Sequence, residues 1–287
     1  MTRELGSVAD PLTEVLATLE RSRVLDLSHP LLVDMPGSPA HPPYQFTLAR
    51  RHGDRPRDDG ISTANEMLVL AAHTSTHVDA VGHASRHGKL SGGVDAAWAQ
   101  SGGMGLRVHG AEELPHVVSR GALLDVAAVH QVACLDPAYE VTAADLERAE
   151  ERAGVRIGPG DAVLIRTGWA TRWSSVSNFV SAAEGTPGPG PEAADWLLER
   201  QIRVTGSDTL VFEVVRPEAN VRPVHGRLLV DAGVPIIEAL DLEALAQQPR
   251  ADFLFVMAPL KFVGATGSPV RPLAVCVDGC AQQEARP

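Results

Sequence analysis

The sequence predicts a mixed α/β fold built as one domain. Short β-rich segments and amphipathic helical segments alternate from end to end. No Pro/Gly-rich or charged stretch separates two bodies, and no segment repeats at a fixed period. The 287 residues, 44 % apolar and 21 % charged, suffice for a sizeable core and are too apolar for wholesale disorder. The expected boundaries are an N-terminal helix within 1–22, one domain over 23–280 and a tail over 281–287.

Each element has its own signal. ADPLTEVLATLER (9–21) carries apolar residues at helical spacing, with Asp10 as a cap followed by Pro11. RVLDLS (23–28) reads as a short strand, and Pro30 to Pro43 holds five prolines and reads as loop. YQFTLAR (44–50) alternates like a strand. NEMLVLAAH (65–73) is nearly all apolar, which predicts a strand buried on both faces. A Gly- and His-rich segment follows to about residue 105, and GALLDVAAV (121–129) predicts a strand. Thr142 caps the helix of TAADLERAEERAG, and Gly154 ends it. GDAVLIRTG (160–168) predicts a buried strand, EAADWLLERQ a helix and IRVTGSD (202–208) a strand. HGRLLVDAG (225–233) reads as helical and PIIEAL (235–240) as extended; DFLFVMAPLKF and VRPLAVCVD close the chain as strands. Trp98, Trp173 and Trp196 are expected as core anchors.

Charge and composition exclude several function classes. Against 36 acidic residues stand 25 basic ones, a net charge of −11, the opposite of the basic face that nucleic-acid binding requires. No apolar run approaches the roughly 20 residues that span a bilayer. The N-terminal stretch MTRELGSVADPLTEVLATLE carries acidic residues where a signal peptide needs an apolar run, so a cytoplasmic protein is expected. The three cysteines, Cys134, Cys276 and Cys280, have no second Cys/His pair spaced to complete a zinc clip and read as thiols of a reducing compartment.

The chemistry concentrates in HTSTHVDAVGH, which holds His73, His77, Asp79 and His83 directly after an apolar strand. On a continuous helix Asp79 falls about 200° round from His77. On a continuous strand His73 and His77 lie about 13 Å apart, too far for one ion. A tight turn through Thr74-Ser75-Thr76 followed by an extended His77-Val78-Asp79 satisfies both limits. Two imidazoles and a carboxylate then converge on one divalent metal and leave open positions, as a catalytic site requires. The plain alternative is a set of ordinary polar histidines, against which stand three histidines and an aspartate within eleven residues. Spacing alone does not choose among Zn²⁺, Mn²⁺ and Fe²⁺. Glu238 interrupts the apolar PIIEAL, where a buried carboxylate needs a partner.

This segment resembles the HxGTHxDxPxH signature of the cyclase-like metal-dependent hydrolases, the family that includes bacterial kynurenine formamidase and isatin hydrolase. DLSHPL (26–31), GDAVLIRTGW (160–169), GSDT (206–209), HGRLL (225–229), IIEALDLEAL (236–245) and PLKFVGATGSPVRPLAV (259–275) resemble family landmarks in family order. The resemblance implies a swivelling β/β/α fold, a homodimer or higher homo-oligomer, and a divalent cofactor, Zn²⁺ or Mn²⁺. It implies His73, His77 and Asp79 as metal ligands, with His225 and Glu238 completing the site or a second metal position. His83 matches the general acid/base. Ser207, Asp208 and Thr209 match a motif lining the site, and Trp169 an aromatic near the substrate. Two positions depart from the signature: its Gly is Ser75 and its Pro is Val81. The segment DAVGHASRHGKLSGG sits closer to the isatin-hydrolase side.

The expected activity is metal-dependent hydrolysis of a C–N bond, other than a peptide bond, in a small amide or cyclic amide. A lactone hydrolase and a metal-dependent cyclase or lyase of secondary metabolism are the alternatives. A metal-stabilised binding protein is a third, disfavoured by the intact His83.

Overall fold

Residues 10–277 are described in the computed structural model; Cys280 and the expected tail over 281–287 lie outside them. Thirteen strands follow the sequence in order: β1 (Ser22–Asp26), β2 (Gln45–Arg50), β3 (Asn65–Val69), β4 (His77–Asp79), β5 (Val117–Asp125), β6 (Glu140–Val141), β7 (Ala162–Arg166), β8 (Gly188–Pro189), β9 (Val204–Ser207), β10 (Ile236–Glu238), β11 (Asp252–Met257), β12 (Gly267–Pro269) and β13 (Leu273–Val277). The helices are α1 (Pro11–Glu20), α2 (Ala96–Ala99), α3 (Val126–Val129), α4 (Ala143–Ala153), α5 (Val176–Val180), α6 (Pro191–Glu199), α7 (Pro223–His225) and α8 (Glu243–Ala246). A π-helical turn, Gly226–Asp231, continues α7.

Nine strands form one sheet in the order β1-β13-β11-β5-β7-β9-β10-β4-β12. Its centre, β5-β7-β9-β10, is parallel, and both flanks are antiparallel. Alternation along the strands sends successive side chains into two separate cores. Leu123, Leu164, Val204 and Ile237 join Val78, Phe255 and Ala274 on one face. Leu124, Val163, Ile165 and Ile236 face the other way, under Leu146 of α4, Trp196 and Leu197 of α6, and Leu228 and Leu229 of the π-helical turn. Each such fully buried side chain contributes about 1.5–3 kcal/mol.

Helix α4 ends as its sequence predicts. Thr142 and Asp145 form a reciprocal capping box, and Gly154 stops the helix in the left-handed region at φ 63°. The stretch 121–129, expected as strand throughout, turns helical at Val126 because the Asp125 carboxylate accepts the Ala128 amide at 2.9 Å. The π-helical turn replaces the regular helix expected over 225–233.

Two burial expectations are overturned. NEMLVLAAH was expected to be buried on both faces, yet every residue of β3 is exposed. It pairs with β2 alone in a two-stranded hairpin outside the main sheet, so no helix or second sheet covers it. Trp98 is 50 % exposed, with the Arg107 guanidinium over its ring. No residue of α1 is buried, and Leu12, Val15, Leu16 and Leu19 all face solvent. Among the described residues no helix is long and apolar enough to cross a membrane.

Candidate metal centre

The turn after the hairpin behaves as its residues require. Ser75 sits at φ 54°, the left-handed region in which the Cβ is strained. The strain is offset by anchoring. Ser75 Oγ donates to the His29 carbonyl at 3.2 Å, and Thr76 Oγ1 accepts the His29 amide at 2.9 Å and donates to the Ala239 carbonyl. His73 and His77 are thereby brought to 5.0 Å between ring centroids.

β4 lies between β10 and β12. Val78 points into the first core, so His77 and Asp79 point to the opposite face, the one covered by helices. Register places Glu238 directly across from His77. Cross-strand neighbours on one face approach closely, and His77 Nε2 lies 3.3 Å from Glu238 Oε2 and 3.5 Å from Asp79 Oδ1. His225, at the start of the π-helical turn, brings Nε2 to 3.3 Å from Glu238 Oε1 and 3.5 Å from Asp79 Oδ2. His73 Nδ1 reaches Asp79 Oδ1 at 2.7 Å, and its Nε2 meets Thr266 Oγ1 at 2.8 Å. His83, on a 3₁₀ turn, has its ring 4.1 Å from that of His73 and its Nε2 4.0 Å from Asp79 Oδ2. His83 alone of the six is substantially open to solvent, at 32 % of its side chain.

All six residues singled out in the sequence for metal and proton chemistry therefore converge. Two overlapping triads have donor atoms within 4.8 Å of one another: His77, Asp79 and Glu238, and His73, Asp79 and His83. The second triad gives His83 the reach of a ligand as well as that of a proton carrier. His77 Nε2 and Asp79 Oδ2 are buried and make no hydrogen bond. Orphaned buried polar atoms are costly, and these two are the types that a divalent ion accepts. The donor set thus fits a metal.

The electrostatics agree. Burial lowers the basicity of His77, but the adjoining carboxylates Asp79 and Glu238 overcome it and carry the imidazole up to about 10. His225 is held well above its ordinary value; burial opposes the shift and Asp79, Glu213 and Glu238 drive it. Asp79 lies well below the usual carboxylate range despite its burial, because four imidazoles surround it. The two carboxylates demand positive charge at this point, which the imidazoles supply when no ion does. His83 goes the other way: burial, with His73 and His225 adding to it, brings it down to about 4.

Trp169, Ser207 and Asp208 were singled out for substrate contact, and the structure places all three at 0 % exposure. Asp208 accepts the Thr167 amide at 2.9 Å, the Thr167 hydroxyl at 2.6 Å and the Gly168 amide at 2.8 Å, tying the end of β9 to the end of β7. Trp169 Nε1 donates to the Phe179 carbonyl at 2.8 Å, and Ser207 Oγ bonds Thr209 Oγ1 at 2.7 Å. Their polar groups are spent on these internal partners. Three participants escaped the sequence reading. Glu213 contacts His225; Thr266 holds His73; His41, with an unpaired buried Nδ1, lies 5.6 Å from the His73 ring. For Glu213 a signal existed: a carboxylate in the apolar run LVFEVV, the same signal that drew attention to Glu238. A cavity of about 230 Å³ opens beside His73, lined by the proline-rich segment from Leu32 to Tyr44 together with Thr74, Ser75 and Val176.

The family model described as "Putative cyclase" matches residues 25–214. The chain belongs to this cyclase family. It is 28 % identical over 222 residues to the isatin hydrolase of Roseibium aggregatum, covering 76 % of each chain. Among solved structures, one described as a novel cyclase is similar at TM-score 0.83 and 29 % identity, over 93 % of this chain and 91 % of that one. Isatin hydrolase A from Ralstonia solanacearum is similar at TM-score 0.73 and 25 % identity, over 94 % and 98 %. The mixed α/β fold expected from the resemblance is the fold of these cyclase-family structures.

Proposed function

We propose that this cyclase-family chain is a metal-dependent hydrolase, acting in the cytoplasm on a small amide or cyclic amide by opening a C–N bond. The observation that carries this reading is the convergence of His73, His77, Asp79, His225 and Glu238 around two orphaned buried donors, His77 Nε2 and Asp79 Oδ2. These five side chains would hold Zn²⁺ or Mn²⁺. The ion would supply Lewis-acid charge to a carbonyl and bring the acidity of water toward neutral pH. The similarity to isatin hydrolases, whose name denotes hydrolysis, supports the same reaction type.

The chain's own residues do the rest. His83 stands at the open side of the cluster and can accept a proton at Nε2 from the attacking water. It can return that proton to the departing nitrogen. Asp79 faces the imidazoles of His73, His77, His83 and His225 and fixes the orientation of the cluster. The prolines, Leu32 and Met35 of the adjoining cavity exclude water from a compact substrate. Asp208 serves this site by tying the end of β9 to Thr167 and Gly168 at the end of β7. Assembly as a homodimer or higher homo-oligomer belongs to the same reading; its support is the apolar surface exposed on β2, β3 and α1.

The family's description as cyclases favours a second reading, a cyclase or lyase in which no water is consumed. A lactone would engage the same residues with an oxygen leaving group. Mass spectrometry of products against substrate distinguishes hydrolysis of either bond from the cyclase or lyase reading. Hydrolysis makes the summed mass of the products exceed that of the substrate by one water, and products that sum to the substrate mass contradict the hydrolase reading.

A further inference from the structure

We infer that Glu213 is a positioning residue for the metal centre, acting through His225; the inference rests on the metal-site reading above. Glu213 lies in the loop after β9, is 1 % exposed and touches neither Asp79 nor Glu238 by any hydrogen bond or ion pair in the structure. Its carboxylate is devoted to one turn of chain. Oε2 accepts the Val224 amide at 3.1 Å, and Oε1 accepts the His225 amide at 3.0 Å and faces His225 Nδ1 at 2.5 Å. A buried carboxylate with three donors from adjacent residues fixes both the backbone at the start of α7 and the rotation of the imidazole.

The consequence is chemical as well as steric. With a carboxylate at Nδ1, the ring proton stays on that nitrogen, and Nε2 is the nitrogen presented to Asp79 Oδ2 at 3.5 Å and Glu238 Oε1 at 3.3 Å. A metal-ligating histidine is commonly set in this way, by a carboxylate on the nitrogen that does not bind the ion. Glu213 therefore selects which nitrogen of His225 can serve as a ligand. The regular continuation of α7 is also broken here: the chain passes into the π-helical turn Gly226–Asp231. The Glu213 anchor fixes the point at which that irregular turn starts.

The test is metal affinity of the full chain. Zn²⁺, and separately Mn²⁺, is titrated into metal-free wild type, Glu213→Gln, His225→Ala and the double variant by competition with a chromophoric chelator. Gln keeps the shape but must present an amide donor to one of the three donors that Glu213 accepts. Glu213→Gln is expected to weaken metal binding by about 10–100-fold. In the His225→Ala background the same substitution is expected to change nothing further, because its path to the ion is gone. Wild-type affinity in Glu213→Gln would overturn the assignment, and so would an equal additional loss in the His225→Ala background. Should Glu213→Gln fail to fold, long-range ¹H–¹⁵N spectra of Zn²⁺-loaded wild type decide: a proton on Nδ1 of His225 is expected, and metal on Nδ1 would overturn the assignment. Absence of metal binding by the wild type would instead defeat the metal-site reading itself, an outcome distinct from binding that is indifferent to Glu213.

Discussion

At the scale of single residues, the division of labour inside the cluster follows from exposure. His77, Asp79 and Glu238 are buried and face one another across β4 and β10. His83 stands at the rim, one-third open, and makes a 4.0 Å approach to Asp79 in place of a hydrogen bond. His83→Ala is therefore expected to retain the metal and to lose about 10²–10⁴-fold in kcat. Elemental analysis beside steady-state kinetics checks this, and metal lost together with activity would assign His83 to the ligand set, as its triad with His73 and Asp79 permits. The local turn was legible in the sequence because His73, His77 and Asp79 meet at one point on neither a continuous helix nor a continuous strand, so the chain must fold back between the histidines. Ser75 adopts the positive φ that this requires and keeps it through its hydrogen bond to His29. Glu213 carries in LVFEVV the same signal as Glu238 in PIIEAL, but that signal does not say that its partner is His225.

At the scale of elements, β4 is only three residues long, yet it is held on both sides, by β10 and by β12. Gly267 of β12 leaves room for the site: a Cβ there would stand 2.8 Å from His73 Cε1 and 2.9 Å from the Val78 carbonyl. Gly267→Ala is expected to push His73 aside, to destabilise the fold by about 1–3 kcal/mol and to weaken metal binding. Thermal denaturation with a metal titration measures both, and unchanged values would place His73 outside the ligand set. Helix α4 offers a pH test remote from the site. Burial of Asp145 opposes ionisation, but the Thr142 amide and hydroxyl, His130 and Arg148 hold its carboxyl down to about 2. Its folded value lies below its unfolded value of about 3.9. Its stabilisation, on the order of 2 kcal/mol, is thus fully present above pH 4 and is lost as pH falls toward 2. The stability gap between wild type and Asp145→Asn should narrow over that window in denaturant titrations; a constant gap would contradict the cap's electrostatic role.

At the scale of the molecule, strand and helix types were largely legible from periodicity, since the parallel strand β7 is fully buried and its sequence is apolar from Ala162 to Ile165. Partnership was not legible. The first five residues of NEMLVLAAH, strand β3, are also largely apolar but pair only with β2, so Met67, Leu68 and Val69 remain exposed. A hairpin of two strands is marginal in water by itself, which fits a second copy of the chain covering it. Phe46 and Leu68 stand opposite each other in this hairpin, at 50 % and 47 % exposure. If the proposed homo-oligomer is built through this hairpin, Phe46→Asp with Leu68→Asp is expected to lower the mass to that of a monomer in light scattering. Unaltered mass would remove the hairpin from the interface.

The metal assignment joins all three scales, because residues from β4, the turn before it, β10 and the π-helical turn meet only if the sheet is registered as observed. Its most direct measurement is the metal content of purified wild type and His77→Ala by elemental analysis, with circular dichroism to confirm folding. Wild type should carry a stoichiometric divalent ion, and folded His77→Ala should lose most of it along with turnover. A folded His77→Ala variant with undiminished metal would contradict the assignment, and so would a wild type that binds no divalent ion when one is supplied.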